Sequence, residues 1–439
     1  MRMQSDKVRL NVGGKIFETT ATTLASARRD SMFGAMFDDE WNLRPREVNQ
    51  EYFIDRDPDC FSVLLNLLRT GELYVPPHIP DRLFYREALY YGLLDHVRTA
   101  KICKFDCNWL KLKSSVSDQA PDDWTAVRAS PDGGCAVAHG GVVRVYNWML
   151  EEHPPLNLDY QCIKDIGWID SENIVISSCQ KTGGIGLFSS STGDLRHRFK
   201  LNCENDEVKG FAAGVLCFNS DGKIFASCGE TSNGGIGVWD QVTGKQTDYF
   251  NSSDGLCFAD ANKIQWLNGS NCLFVSNLFS WMENKKHISL LDFRDKSVVC
   301  SRISRCISVD RYYSPSYILD AIPMEESNSI CVVNEYEKFG FVDLRNTSES
   351  VTWSSNSYGS VKPIDHPKLT LHGGQLFCSL YDKISVYYGG LDQWVLTSVL
   401  ERSQAGSIRD FSIGGDRLFA LRGEENVVDI WETPSSPII

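Results

Sequence analysis

After about residue 140 one pattern recurs seven times, and it restricts the fold of this chain more than any other feature. A short β-branched strand alternates in polarity and ends on an aromatic or apolar residue, often followed by an acid. It reads Val143-Arg-Val-Tyr146, Ile185-Gly-Leu-Phe188, Ile236-Gly-Val-Trp239-Asp240, Ile288-Ser-Leu-Leu291-Asp292, Gly340-Phe-Val342-Asp343, Ile384-Ser-Val-Tyr387 and Val428-Asp-Ile-Trp431-Glu432. The end residues stand 42, 51, 52, 51, 45 and 44 positions apart. A period of roughly forty to fifty residues around one strand is what a four-stranded propeller blade requires. A single blade cannot bury both its faces, so seven copies predict a closed ring of seven.

The rest of a blade is readable around Trp239. Gly214-Val-Leu-Cys-Phe218, the turn Ser220-Asp-Gly-Lys223, and Ile224-Phe-Ala-Ser-Cys228 precede it, and the turn Thr243-Gly-Lys245 leads to an outer strand. The same Thr-Gly turn returns at Thr192-Gly193. This segment, about residues 104–433, resembles the WD-repeat family. It departs from that family in lacking the Gly-His dipeptide in every blade and in showing Trp-Asp in one clear place. The last unit stops soon after Trp431-Glu432, too early for an outer strand. Lys104-Phe-Asp-Cys-Asn-Trp-Leu-Lys-Leu112 has strand character and is predicted to pair there, removing an exposed edge. Ser114 to Asp123 reads as a polar break, and 434–439 as a short tail.

The N-terminal hundred residues follow different rules. Val8-Arg-Leu-Asn-Val12 and Lys15-Ile-Phe-Glu-Thr19 flank Gly13-Gly14 and predict a hairpin. Helical stretches are expected at Thr22–Arg29 and Ser31–Phe37, a strand at Glu51–Asp55, and a helix capped by Asp57 and Pro58. That helix places Phe61, Leu64, Leu65 and Leu68 on one face and stops at Gly71. A last helix from Asp81 to Tyr91 completes an α+β unit. Gly13-Gly14-Lys15 is no phosphate loop, because it lacks the earlier glycine and Ile16 stands where a magnesium-binding hydroxyl belongs.

Four segments carry a further resemblance: Asn11-Val-Gly-Gly-Lys15, Ser31-Met-Phe-Gly-Ala-Met-Phe37, Tyr52-Phe-Ile-Asp-Arg-Asp57 and Leu68-Arg-Thr-Gly-Glu-Leu73. Together they resemble the potassium-channel tetramerisation branch of the BTB/POZ family. The resemblance implies an α+β BTB/POZ domain at about 5–103, followed by the all-β seven-bladed propeller at 104–433. It also implies self-association through polar faces into a tetramer or pentamer. Soluble relatives commonly serve as substrate adaptors of cullin-3 RING ubiquitin ligases. By that likeness Phe33, Met36, Phe37, Asp38 and Asp39 would contact the cullin, and the propeller would take an unidentified protein substrate. The same aromatics also suit a core packed on the Phe61 helix. An oligomeric scaffold that binds no cullin is the alternative.

Charge narrows the partners. The net charge is −13, and residues 1–100 contribute 13 Lys+Arg against 15 Asp+Glu, so most of the acidity lies in the repeats. An acidic surface without a basic stripe repels phosphate, so neither nucleic acid nor an anionic membrane is an expected partner. Met1–Leu10 has no apolar core of a signal, and no run approaches the length of a membrane span. These features fit a protein of the cytoplasm, with the nucleus also open to it, and they do not fit a channel subunit. The 15 cysteines are irregularly scattered and expected to be reduced core residues.

Chemistry finds no footing. Neither Cys-x-x-Cys nor His-Glu-x-x-His occurs, the spacing of His96, Cys103 and Cys107 fits no zinc module, and Gly-x-Ser-x-Gly is missing. Gly183–Gly186 and Gly234–Gly237 read as tight turns entering third strands. No catalytic, cofactor or metal residue is assigned, and a propeller hydrolase would need two facing acids at the ring centre. Trp168, Trp266, Trp281, Tyr336 and Trp353 suit either substrate binding or blade packing.

Overall fold

A computed structural model describes residues 7–27, 31–37, 51–102, 105–117, 125–159, 162–202, 208–229, 234–251, 256–278, 287–303, 318–345, 351–354, 367–390, 393–402, 406–423 and 427–434. The chain divides into two compact units, Met1–Asp106 with Thr433–Ile439, and Cys107–Glu432.

In the first unit β1 (Lys7–Val12) and β2 (Lys15–Thr20) form the hairpin, and β3 (Glu51–Ile54) adds parallel to β1, giving the order β2-β1-β3. Gly13 and Gly14 make the turn with φ of 55° and 89°, a left-handed pair that other residues adopt only with strain. Helices α1 (Ala21–Ala25) and α2 (Met32–Phe37) follow β2. Helix α3 (Pro58–Thr70) starts where the Asp57 carboxylate accepts the N–H groups of Asp59 and Cys60 at 3.0 and 2.8 Å, and ends at Gly71 with φ 74°. Its Phe61, Val63, Leu64, Leu65 and Leu67 are buried, and each contributes roughly 1.5–3 kcal/mol. Helix α4 (Asp81–Tyr90) is followed by α5 (Leu94–Ile102), an element absent from the sequence reading. Only Val97 and Ala100 of α5 are buried, so it carries almost no apolar periodicity. Arg56 locks the β3–α3 junction to α4 through a two-point pair with Glu87 at 2.6 and 2.9 Å and lies over the Tyr90 ring.

Among the described residues the second unit holds seven antiparallel blade sheets whose third strands contain the seven repeated motifs, and a two-stranded antiparallel ribbon of Leu201–Asn202 and Val208–Lys209 between blades two and three. Blade one has Thr125–Ala129, Cys135–His139 and Val142–Tyr146; blade two has Ile163–Trp168, Asn173–Ser178, Ile185–Ser189 and Leu195–Phe199. Blade three runs Ala212–Phe218, Lys223–Gly229, Gly235–Asp240 and Gln246–Phe250, and blade four Lys263–Leu267, Cys272–Asn277, His287–Asp292 and Ser297–Ile303. Blade five has Ile318–Met324, Ser329–Asn334, Phe339–Asp343 and Thr352–Trp353; blade six has Leu369–His372, Gln375–Leu380, Lys383–Gly390 and Gln393–Glu401. Blade seven has Ile408–Gly414, Arg417–Arg422 and Val427–Glu432. The core lies between blades: Val175, Ile185 and Phe211 pack with Trp239 across blades two and three, and Val127 and Val137 pack with Phe419 and Ile430 across blades one and seven. That last cluster joins the first blade to the last.

Closure differs from the expected pairing. Blade seven takes its fourth strand from Lys111–Ser117, with Val428 opposite Val116 and Trp431 opposite Leu112, and not from 104–112 as a whole. The Ser115 hydroxyl donates to Asp429 at 2.6 Å, and Asp429 also accepts from the fully buried Arg422 at 2.5 Å. The polar break expected from Ser114 onward is therefore strand as far as Ser117, and 118–123 lie outside the described residues. An edge strand needs backbone bonds and little apolar surface, which is why Lys-Leu-Lys-Ser-Ser-Val-Ser serves. Blade one has only an irregular fourth edge: His153 donates to Val145 and Leu156 to Val143, with Pro154 and Pro155 between them supplying no N–H.

Cysteine chemistry also departs from the all-reduced expectation, because Cys162 and Cys179 form a disulfide. Nine other described cysteines are free, and burial pushes the Cys60, Cys135, Cys217 and Cys228 thiols up to about 12. Among the described residues no helix is long and apolar enough to cross a membrane, and no group of three or more His, Cys, Asp or Glu is placed to hold a metal ion. His96 lies on α5 and Cys103 outside the described residues.

Candidate interaction surfaces

The first strands of the blades set charged side chains against one another. Arg128 of blade one pairs with Asp165 of blade two and with Asp410 of blade seven, both at 2.5 Å. Lys368, at the head of blade six, pairs with Asp410 and also donates to the Phe411 carbonyl at 3.0 Å. Lys263 of blade four reaches Asp320 of blade five at 2.6 Å and the Leu369 carbonyl of blade six at 3.1 Å. Each aspartate sits at a register shift of its strand and takes a backbone N–H from a neighbouring blade. Asp165 accepts from Leu216 at 3.0 Å, Asp320 from Leu369 at 2.7 Å and Asp410 from Val127 at 3.0 Å. This device was missed in the sequence, although its signal is there: Ile163-Lys-Asp165, Ile318-Leu-Asp320 and Ile408-Arg-Asp410 share one spacing.

Electrostatics follow from that geometry. Burial alone would raise the Asp410 carboxyl, but Lys368 and Arg128 outweigh it and hold it below the ordinary carboxylate range. Burial likewise works against the Arg128 charge, and Asp165 with Asp410 more than restores it. The Lys368 ammonium is lowered, mainly by burial. A glycosidase-type pair needs one carboxyl kept protonated near neutrality. Asp165, Asp320 and Asp410 are each spent on a cation and on backbone N–H groups, so this ring holds blades together and is not a pair of facing catalytic acids.

Alternating strand direction gathers the connections between blades, and those between second and third strands, at one end of the sheets. Several are long in sequence, as at 251–262, 304–317 and 354–368, while the opposite end carries tight turns such as Ser220–Lys223 and Gly373-Gly374. The long-loop end is the candidate recognition face. Of the aromatics proposed for it, Trp168 donates to the Arg128 carbonyl at 3.0 Å, Trp266 stacks on Phe225 at 5.0 Å, and Trp353 packs on the blade four and five core. These three are packing residues. Tyr336 lies half-buried between the second and third strands of blade five, and Trp281 is outside the described residues.

On the first unit, the segment expected to meet a cullin divides. Phe33 is fully buried, stacked on Tyr91 at 5.3 Å and against Phe61 at 6.0 Å, so it is a core residue and offers no contact surface. Met36 is half-buried on α2; the Phe37 side chain, Asp38 and Asp39 lie outside the described residues. A second surface was not foreseen. The outer face of the three-stranded sheet sets Ile16, Asn11 and Phe53 side by side in register, beside Arg9 flanked by Glu18 and Glu51. Phe53 is 65% exposed and Ile16 40% on this otherwise charged face. The Lys7–Glu18 pair at 2.7 Å and the Asn11–Glu51 hydrogen bond at 2.6 Å order it. A period-two reading of Glu51-Tyr-Phe-Ile could have placed Phe53 outward.

Comparison with known proteins agrees with both units. Residues 8–100 match the BTB/POZ domain, and residues 118–433 match the At2g24240-like C-terminal β-propeller. The chain is 59% identical over 450 residues to BTB/POZ domain-containing protein At2g24240 of Arabidopsis thaliana, covering 100% of both. It is 56% identical over 451 residues to BTB/POZ domain-containing protein At4g30940 of the same plant, again covering 100% of both. With BTB/POZ domain-containing protein At5g41330 of that plant, identity is 24% over 99% of this chain and 98% of the relative. A BTB domain and a propeller are both interaction modules, and their union is adaptor-like in architecture. The chain belongs to the family of BTB/POZ proteins that carry an At2g24240-like C-terminal β-propeller.

Proposed function

We propose that this protein is a substrate-specific adaptor of a cullin-3 RING E3 ubiquitin ligase. Its BTB domain self-associates and holds the cullin, and its propeller presents a protein substrate for ubiquitin transfer in the cytoplasm or nucleus. The observation that carries the reading is the union, in one chain, of a tetramerisation-type BTB unit with a propeller whose first-strand aspartates Asp165, Asp320 and Asp410 are held in ion pairs. Such a molecule acts by proximity, and a ring of propellers raises apparent affinity for a multivalent target through effective concentration. The ordered sheet face with its exposed Phe53 supports self-association, and the α2 segment around Met36 supports a separate partner.

The test is capture of purified cullin-3 by the full-length protein, with Met36→Ala/Phe37→Ala as the variant. The expected result is capture by the wild type, lost in the double variant at unchanged oligomer mass. No capture by a correctly sized wild-type oligomer overturns the cullin role and leaves a non-enzymatic scaffold.

A further inference from the structure

Cys162 and Cys179 stand at the long-loop end of blade two, just before its first strand and just after its second. Their Cα atoms are 5.9 Å apart, within the range that a disulfide spans without moving the backbone. The ladder itself sets this distance: Ile163 pairs with Ser178, and the Cys179 N–H donates to the Cys162 carbonyl at 3.1 Å. The two sulfurs are thus neighbours through backbone pairing alone. Their surroundings differ from those of most free cysteines, since Cys60, Cys107, Cys135, Cys228, Cys272, Cys331 and Cys378 are buried. Cys179 is exposed and Cys162 half-buried, with Lys164 and Lys181 two residues away along the chain. Exposed disulfides of this kind are the reversible ones, and exposed thiols near cations are the reactive ones.

The bond abuts a turn. Gln180–Gly184 begins one residue after Cys179, with the Gly183 N–H bonded to the Gln180 carbonyl at 2.9 Å. Gly184 then donates to the Phe211 carbonyl at 3.0 Å, where the chain leads into blade three. Tying Cys179 to Cys162 adds a covalent hold at the near end of this turn to the hydrogen bonds already there, from the Cys179 N–H to the Cys162 carbonyl and from the Gln180 N–H to the Ser178 hydroxyl, and freeing it leaves the exposed Lys181 and Thr182 held there by those bonds alone.

We propose that Cys162 and Cys179 form a reversible thiol–disulfide site that sets the freedom of the Gln180–Gly184 turn on the candidate recognition face. With oxidised glutathione as oxidant, the Cys179 thiolate attacks one glutathione sulfur, giving a mixed disulfide and one glutathione thiolate. The Cys162 thiolate then attacks the Cys179 sulfur and expels the second glutathione. Two protein thiols have lost two protons and two electrons, and one glutathione disulfide has become two thiols. Excess reduced glutathione runs the sequence backward.

The site belongs to blade two alone, so its test does not depend on any cullin. Full-length protein is equilibrated in glutathione buffers from fully reduced to fully oxidised, trapped with N-ethylmaleimide and mapped by mass spectrometry. The wild type is expected to lose two alkylatable thiols, at positions 162 and 179, and to regain both in reduced glutathione. Trypsin cleavage after Lys181 is expected to be several-fold faster in the reduced state, and independent of the buffer in Cys162→Ser and in Cys179→Ser. The proposal fails if both thiols stay alkylatable in oxidised glutathione, if the bond resists reduced glutathione in the folded protein, or if cleavage after Lys181 is the same in both states.

Discussion

Replacing Phe33 by Ala removes a ring stacked on Tyr91 in the heart of the BTB unit. The loss is expected to be about 3–5 kcal/mol, read as an early unfolding transition of that unit, whereas Met36→Ala on the same helix costs about 1 kcal/mol. Sequence could not separate the two, because six helical residues with five apolar side chains show no clear face. Glu337 offers a test by pH. Burial raises its carboxyl, against the opposing effect of the hydrogen bond that Tyr387 donates at 3.0 Å. A carboxyl raised on folding stabilises fully below its unfolded value near 4.5, and that stability is lost as pH rises through the folded value. Glu337→Gln keeps an acceptor for Tyr387 without the charge. Its thermal midpoint is expected to exceed the wild type by on the order of 1–2 °C at pH 7, and the gap to close near pH 4.

Among the elements, the third strands were legible because their function is written in side chains: in most a β-branched residue opens the strand, an aromatic or apolar one ends it, and in blades two, three, four and six a Gly or Ser stands second. Gly237 shows why the small one is needed, since a Cβ there would collide with the buried Trp239 ring that folds back over it. Gly237→Ala is expected to cost about 1–3 kcal/mol in a denaturant titration. The clasp strand Lys111–Ser117 was displaced in the sequence reading because most of its side chains face solvent and its pairing rests on backbone. Besides Val116, which packs on the core between blades one and seven, its tie to the interior is Asp429, shared by Ser115, Arg402 and Arg422. Asp429→Ala strands the buried Arg422 charge and is expected to cost about 3–5 kcal/mol. Ser115→Ala removes one hydrogen bond and is expected to cost about 1 kcal/mol. Helix α5 escaped notice for a related reason, having two buried residues where α3 has six.

At the level of the molecule, two units of different grammar share one chain, and both were readable: one from ordered local motifs, the other from a period. The inner ion-pair ring was not, since three aspartates among 57 acidic residues gain meaning only when neighbouring blades bring cations and N–H groups to them. The partner surfaces were half legible, with Phe33 drawn into the core and Phe53 emerging on the sheet face. Phe53→Asp places a charge in the middle of that face and is expected to lower the oligomer mass while leaving the propeller's unfolding transition unchanged. In the proposed function the BTB unit self-associates and docks a cullin while the propeller grips a substrate. The most direct measurement is the solution mass of the purified full-length chain, alone and mixed with cullin-3. A tetramer or pentamer that gains cullin mass is the expected result; a monomer whose mass cullin-3 leaves unchanged would contradict the account.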